Sequence, residues 1–345
     1  MNSVDDLISI DVLESVNGGE DDRPVYPWKR AKKVAAMLSF LGKNYHGMQR
    51  NPGDKINTIE DELMAALSKS GAIDPEWEKV PQKAFFTRAS RTDKGVSAAR
   101  MTVSLKMLPD ATLVSEINSF LPADIRMQAM VRATGNFNCQ SHADGRTYLY
   151  LLPTFAFSPC EEIMTEAWRC GPDTITRVND VLKQFIGSHF YHNYTSGKLP
   201  MEPSSRRFIQ EFEAGEPFER KGMEWSVIRV KGQSFMLHQI RKMIGLGIAI
   251  VRGQTGLQTL DEAWDRHRID IPKAPGLGLM LDMIHYDRGE GDCFNKTELI
   301  GSLSQGIIRG TGKTGSMINW TGKGRMVKWR SSKRSLSSPT LCRLK

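Results

Sequence analysis

The sequence predicts an α+β protein built from two successive halves of similar make-up. Three observations carry this: strict alternation of apolar and polar residues in several segments, helical spacing of apolar residues in others, and a restart of the same interleaving in the second half. A chain of 345 residues with 40% hydrophobic content can bury one large core or two moderate ones.

Taken in order, residues 1–28 are acidic, punctuated by Gly and Pro, and lack sustained periodicity, so they are expected to be a disordered tail. Lys29, Arg30, Lys32 and Lys33 follow as a basic cluster that fits either a nuclear import signal or a solvated surface. An N-terminal half over 29–135 then opens with a strand from Lys33 to Phe40 and a loop from Gly42 to Gly53 that contains Tyr45, Gln49 and Arg50. Thr58 and Asp61 form a capping-box signature for a helix in which Ile59, Leu63 and Leu67 recur every four residues. Met101, Val103, Leu105 and Met107 alternate with Thr102, Ser104 and Lys106, as a half-buried strand does, and Ile125, Met127, Ala129 and Val131 repeat the device.

The second half, 136–288, restarts with a strand at Arg146–Leu152 and an amphipathic helix carrying Ile175, Val178, Leu182 and Phe185. A strand at Trp225–Val230 leads to a helix from about Ser234 to Arg252, stopped by Gly253. From 289 to 345 the pattern decays into a Gly-, Ser-, Lys- and Arg-rich stretch expected to be a disordered basic tail. Its Gly312-Lys313-Thr314 imitates the end of a phosphate loop, but Ile307 stands where that loop needs a glycine and no buried strand precedes it.

The composition narrows the function classes. Cys139, Cys160, Cys170, Cys293 and Cys342 are odd in number and form no CxxC pair, which predicts free thiols in a reducing compartment rather than a disulfide framework or zinc ribbon. No apolar run approaches the length of a membrane helix, and the acidic leader resembles neither a secretory signal nor an Arg-rich mitochondrial presequence, so the nucleus is the expected location, with the mitochondrion as the alternative. The formal charge is +8. Seven acids lie in residues 1–22 and ten Lys or Arg in 301–345, which leaves +5 on the stretch between them, a charge compatible with binding RNA.

The densest polar segment beside an apolar strand is Arg88, Ser90, Arg91, Thr92, Asp93, Lys94 and Gly95. Bare, Thr-Asp-Lys-Gly is a solvated turn; a functional role for Asp93 requires a partner. Arg241 lies within the stripe formed by Leu237, Ile244, Ile248 and Val251. A buried guanidinium left unpaired costs on the order of 3 to 5 kcal/mol, so Arg241 either meets a carboxylate from another element or snorkels to solvent. Arg146, Tyr148 and Tyr150 alternate along one strand and share a face, where aromatic and guanidinium planes suit unstacked bases and equally suit ordinary packing. His189 and His192 lack a third ligand, so no metal is expected and hydrogen bonding within a loop is the simpler role.

Read together, these segments resemble the TruA family of tRNA pseudouridine synthases, most closely its eukaryotic branch. The match runs in order through Tyr45-His46-Gly47-Met48-Gln49-Arg50-Asn51-Pro52, Thr58-Ile59-Glu60, Arg91-Thr92-Asp93-Lys94-Gly95-Val96, Leu121-Pro122 and Arg146-Thr147-Tyr148-Leu149-Tyr150-Leu151-Leu152-Pro153. It continues through Gly187-Ser188-His189, Lys231-Gly232-Gln233-Ser234-Phe235-Met236, His238-Gln239-Ile240-Arg241-Lys242-Met243 and Pro272-Lys273-Ala274-Pro275-Gly276-Leu277-Gly278-Leu279.

The resemblance implies two ferredoxin-like lobes joined into one extended antiparallel sheet, with an RNA-binding cleft at the centre. It implies an isomerase that needs no cofactor, with Asp93 as the catalytic carboxylate, Arg241 as its ion-pair partner, Tyr148 against the target base and Arg91 helping to expose it. tRNA is the implied partner, with messenger and small nuclear RNAs as further candidates, and a monomer is expected. The alternative is an RNA-binding or tRNA-folding module that has lost turnover. The chain departs from the family pattern at Arg100 and Met101, at Ser90, and in its C-terminal tail.

Overall fold

A computed structural model describes residues 27–51 and 56–286. The expectations for the acidic leader up to residue 26, for the basic tail and for Gly312-Lys313-Thr314 lie outside the described residues. Within them is a ten-stranded, mostly antiparallel open sheet with six α-helices.

After a 3-10 turn at Pro27–Arg30, β1 (Lys32–Phe40) is buried on both faces from Lys33 to Met37, which is why its sequence reads as a continuous apolar run. Thr58 caps α1 (Ile59–Lys69): its hydroxyl accepts from the Asp61 N–H, and the Asp61 carboxylate accepts from the Thr58 N–H. The short α2 (Pro75–Lys79) leads to β2 (Thr87–Arg88), and the loop bearing Asp93 joins β2 to β3 (Ser97–Met107). α3 (Leu113–Phe120) and β4 (Ile125–Arg132) follow. The second half begins with β5 (Gly145–Pro153) and α4 (Pro172–Lys183), which buries Ile175, Val178, Val181 and Leu182, each worth about 1.5–3 kcal/mol. β6 (Gly187–Phe190), β7 (Arg206–Ala214), β8 (Phe218–Arg220) and β9 (Met223–Gly232) follow, then α5 (Gln239–Val251), α6 (Gln258–Trp264) and β10 (Leu279–His285).

The sheet order is β4-β1-β3-β10-β5-β9-β7-β6, with β2 added to β3 and β8 to β9. Strands from before and after residue 136 therefore occupy opposite ends of the sheet. They meet where β3 pairs with β10, and this pair is parallel, with Met280 opposite Ser97 and Leu281 opposite Ala98. An entirely antiparallel sheet is thus corrected at its junction. The parallel pairing has a structural consequence: both strands start at the same sheet end, so the Asp93 loop before β3 and the Pro272–Gly278 segment before β10 lie side by side. Arg100 crosses this junction, its Nη2 2.8 Å from Asp282 Oδ1 and its Nε donating to the Asp282 carbonyl.

The helix predicted from Ser234 starts later. α5 begins at Gln239, after His238 turns the chain with a left-handed φ of 64°. Leu237 is accordingly 54% exposed and does not belong to the apolar stripe. Every α5 residue except Arg241 and Lys242 is buried, so the helix is enclosed on nearly all sides.

Candidate active site

The Asp93 loop is held by its backbone. The Val96 N–H donates to the Asp93 carbonyl across a tight turn, and Gly95 supplies the φ of +80° such a turn requires. Two glycines let the loop at 42–48 press against it: a Cβ at Gly42 would stand 2.0 Å from the Val96 carbonyl oxygen, and one at Gly47, where φ is +103°, 2.4 Å from that of Thr92. The Gly42 N–H donates to Ser97 Oγ, and the Gly95 N–H to the Tyr45 carbonyl. This is the structural content of the Tyr45–Arg50 motif.

Glu60 of the neighbouring motif is buried under the same framework. Its carboxylate accepts from the Arg50 N–H at 3.0 Å and stands 2.8 Å from Arg88 Nη2. The pair ties α1 to the end of β2, where the Asp93 loop begins.

On the other side, α5 carries Arg241 toward the loop. Gly245 lets the Pro272–Ala274 backbone lie directly on the helix, since a Cβ there would meet the Pro272 carbonyl oxygen at 2.1 Å. Arg241 Nε donates to the Ala274 carbonyl at 2.7 Å, and the Ala274 N–H donates to the Arg241 carbonyl. Tyr150 Oη donates to the Pro275 carbonyl. Anchored in this way, Arg241 Nη1 stands 3.7 Å from Asp93 Oδ2, close enough for a Coulombic pair and longer than a hydrogen bond. The Arg241 side chain is 14% exposed and that of Asp93 26%. Burial pulls the guanidinium below its ordinary pKa, while Asp93 and Tyr150 oppose that shift.

Sequence reasoning assigned no role to His238, although it lies in a quoted motif; its Nε2 stands 3.6 Å from the same Asp93 oxygen. A left-handed φ costs a non-glycine residue of order 1–2 kcal/mol, so the turn that aims this ring is maintained by its surroundings. Burial pulls its pKa below that of an ordinary histidine; Asp93 pulls upward, and Lys273, Arg241 and Lys242 push down.

Tyr148 projects from β5 with 6% of its surface exposed. Its Oη hydrogen-bonds Ser90 Oγ at 2.8 Å, and its ring meets Phe235 edge-on with centroids 5.4 Å apart. Burial pushes the phenol above its ordinary pKa, with Ser90 and Arg146 opposing and Asp93 adding to the rise. Arg146 works as a backbone clamp, donating to the carbonyls of Ala89, Gln140, Ala143 and Gln233. Arg91 is exposed, and among the described residues its guanidinium meets no partner.

Asp93, Arg241 and Tyr148 are thus brought together, Arg91 borders them, and His238 joins them. A partly shielded carboxylate beside a fixed cation and a buried aromatic can act as a nucleophile or a proton acceptor. His189 and His192 lie elsewhere. His189 stands in β6 rather than a loop and stacks on Trp264 at 3.9 Å, while His192 is buried against the Asn193 amide. Among the described residues no helix is long and apolar enough to cross a membrane.

Residues 181–287 match the family model described as tRNA pseudouridine synthase. The chain is 47% identical over 276 residues to Pseudouridylate synthase 1 homolog of Mus musculus, covering 79% of this chain and 65% of that protein. It is 47% identical over 257 residues to Pseudouridylate synthase 1 homolog of Homo sapiens, covering 74% and 60% respectively. To tRNA pseudouridine synthase 1 of Yarrowia lipolytica it is 32% identical, with 74% of this chain and 64% of that protein covered. The chain spans slightly less than two thirds of the length of each of these relatives. The chain is thus similar through both halves of the sheet to proteins named as pseudouridine synthases, and over residues 181–287 to the tRNA pseudouridine synthase family model.

Proposed function

We propose that this protein is an RNA pseudouridine synthase that isomerises specific uridines of tRNA, with Asp93 as its catalytic carboxylate. The observation that carries the reading is the Asp93–Arg241 pair, in which a backbone-anchored guanidinium on α5 stands 3.7 Å from the Asp93 carboxylate.

The reaction moves one bond within one nucleotide. The N1–C1′ bond breaks, the base turns while held, C5 bonds to C1′, the C5 proton leaves and N1 gains one. Atoms and electrons balance without a redox partner, so an ionised carboxylate suffices as the reactive group. Asp93 would attack the base at C6 or the sugar at C1′, or take the C2′ proton on a glycal route. Arg241 sets a fixed positive charge beside the carboxylate. Tyr148 would form the wall on which the extruded uracil packs, and Arg91 would help hold the base out of its stack, which costs roughly a few kcal/mol.

In this reading the chain folds as two ferredoxin-like lobes, over 29–135 and 136–288, with the RNA in a cleft between them. The segregation of early and late strands to opposite ends of the sheet supports it. The partner is tRNA, with messenger and small nuclear RNAs as further substrates; the protein works as a monomer in the nucleus, the mitochondrion being the alternative. The names of the mouse and human relatives support the activity, and those of the Yarrowia lipolytica relative and the matching family model support the tRNA substrate.

The test is incubation of purified protein with tRNA carrying tritium at uridine C5. Release of tritium to water with matching pseudouridine in the digest is the expected result. Tight tRNA binding without release would instead select the RNA-binding or tRNA-folding module.

A further inference from the structure

At the end of β3 remote from Asp93, the chain holds an aromatic ring out in solvent at a conformational cost. Phe85 is 58% exposed and adopts a left-handed φ of 51°, a backbone state that a bulky residue rarely occupies. The conformation is enforced from below. Lys33, itself 93% buried by the complement of its 7% exposure, donates its Nζ to the Phe85 carbonyl at 2.9 Å. The Lys106 ammonium lies 4.4 Å from the centre of the Phe85 ring. Lys33 and Lys106 are direct partners in the β1–β3 register, so both project from one face beneath the ring.

The left-handed φ closes the 3-10 turn Pro81–Ala84, with the Phe85 and Phe86 N–H groups donating to the Gln82 and Pro81 carbonyls, but that turn does not call for an aromatic side chain. Glycine would adopt the same backbone with less strain, and the ring remains largely open to water. A large aromatic kept exposed at such a position points to a surface that is completed by a ligand. The chemistry of that ligand follows from the surroundings. A free aromatic face stacks a base of any identity, and a lysine against the ring adds positive charge beside it. Lys32, in register with Met107, and Arg132, in register with Val34, are exposed at the same sheet end but belong by alternation to the opposite face, so Lys106 is the cation beside the ring. The first acid beyond β3 is Asp110, whose Oδ1 is already engaged by the Thr112 N–H and hydroxyl.

We infer that Phe85 and Lys106 form a second RNA contact, a stacking platform for an unpaired base with a cation for the adjoining phosphate. Nine residue steps along β3 from Ser97 to Lys106 put it about 30 Å from the Asp93 end of the strand. The platform would thus grip a part of the RNA well away from the reacting uridine. This inference rests on the RNA substrate proposed above and adds to it a binding element that the reacting site does not require.

The experiment measures the affinity of the full chain for unmodified tRNA, by fluorescence anisotropy over a salt series. Phe85→Gly removes the ring and keeps the left-handed backbone; it should raise Kd about ten-fold with an unchanged salt slope. Phe85→Trp should restore the affinity. Lys106→Gln should lower the salt slope by about one. Wild-type affinity in Phe85→Gly overturns the inference while leaving the uridine isomerase reading intact. An equal loss in Phe85→Trp also overturns it, because the defect then lies in the local backbone. If Phe85→Gly abolishes a self-association seen in the wild type and leaves RNA affinity unchanged, the ring serves a second copy of the chain and the inference fails. A wild type with neither tRNA affinity nor tritium release overturns both readings at once.

Discussion

Asp93 Oδ2 and Arg241 Nη1 stand 3.7 Å apart, and backbone that belongs to neither residue sets the separation. Gly42 and Gly47 seat the Asp93 loop from one side; Gly245 and the Ala274 carbonyl seat Arg241 from the other. The parallel β3–β10 pairing brings the two supports together. The pair should therefore be sensitive both to its own chemistry and to changes in the glycines behind it.

Asp93→Asn preserves size and removes the reactive charge. Turnover measured by tritium release should fall about 10⁴-fold or more, while tRNA affinity is largely retained. Residual turnover near the wild-type rate would remove Asp93 from its assigned role.

Arg241→Lys keeps a positive charge but gives up the planar fork, and with it the Nε donation to the Ala274 carbonyl. A drop in kcat of about ten-fold or more is expected, together with a loss near 1 kcal/mol in urea unfolding from the missing hydrogen bond. Arg241→Gln should lower kcat further, since it also removes the cation. Equal kcat in wild type and Arg241→Lys would show that charge alone matters.

Gly245 and Gly247 lie two residues apart in α5 and should respond oppositely to alanine. In a helix interior Gly→Ala ordinarily stabilises by about 1 kcal/mol. At Gly247 the new methyl would meet Leu182 Cδ2 at 3.5 Å, ordinary contact, and the gain should appear as a higher Tm. At Gly245 it would meet the Pro272 carbonyl oxygen at 2.1 Å, forcing the 272–278 segment away from the helix. Gly245→Ala should lower both Tm and kcat, because that segment anchors Arg241.

His238 should make stability fall on the acid side. Its folded pKa is lowered by burial, with Asp93 opposing and Lys273, Arg241 and Lys242 adding to the fall. Above the ordinary histidine pKa the ring is neutral in both states and the folded protein bears no penalty. As pH falls below that value the unfolded chain takes up the proton first, so stability is lost until the pH passes the lowered folded value. His238→Asn, which tolerates the left-handed turn, should flatten this part of the profile in urea unfolding at graded pH. An unchanged profile would place the acid sensitivity elsewhere.

Glu60→Ala leaves Arg88 on a largely buried face without its carboxylate and the Arg50 N–H without its acceptor. A loss of about 3 kcal/mol in urea unfolding is expected. The double variant Glu60→Ala, Arg88→Leu should recover part of it, since a buried charge is then no longer stranded.

Much of the fold was legible because its signals are local. The Thr58–Asp61 capping box needs four consecutive residues, and the alternation in β3 and β4 needs only one strand and the face it buries. The α5 boundary was less legible. Leu237 continues the apolar spacing by chance of composition, while the left-handed turn at His238 depends on the surfaces that α5 meets. For the same reason the sequence offered no role for His238 and showed Ser90 only as a departure from the family, whereas the structure has it bonded to Tyr148.

By itself, the sequence determined several of the strands and helices, which residues could carry charge into an apolar setting, and which known family the chain resembles. Those properties reside in short patterns and residue chemistry. Only the tertiary structure decided that β3 and β10 run parallel, that two remote loops therefore lie side by side, and that one carboxylate faces both a guanidinium and an imidazole. Separations of a few ångströms between distant segments come from backbone packing, and packing is a property of the whole sheet.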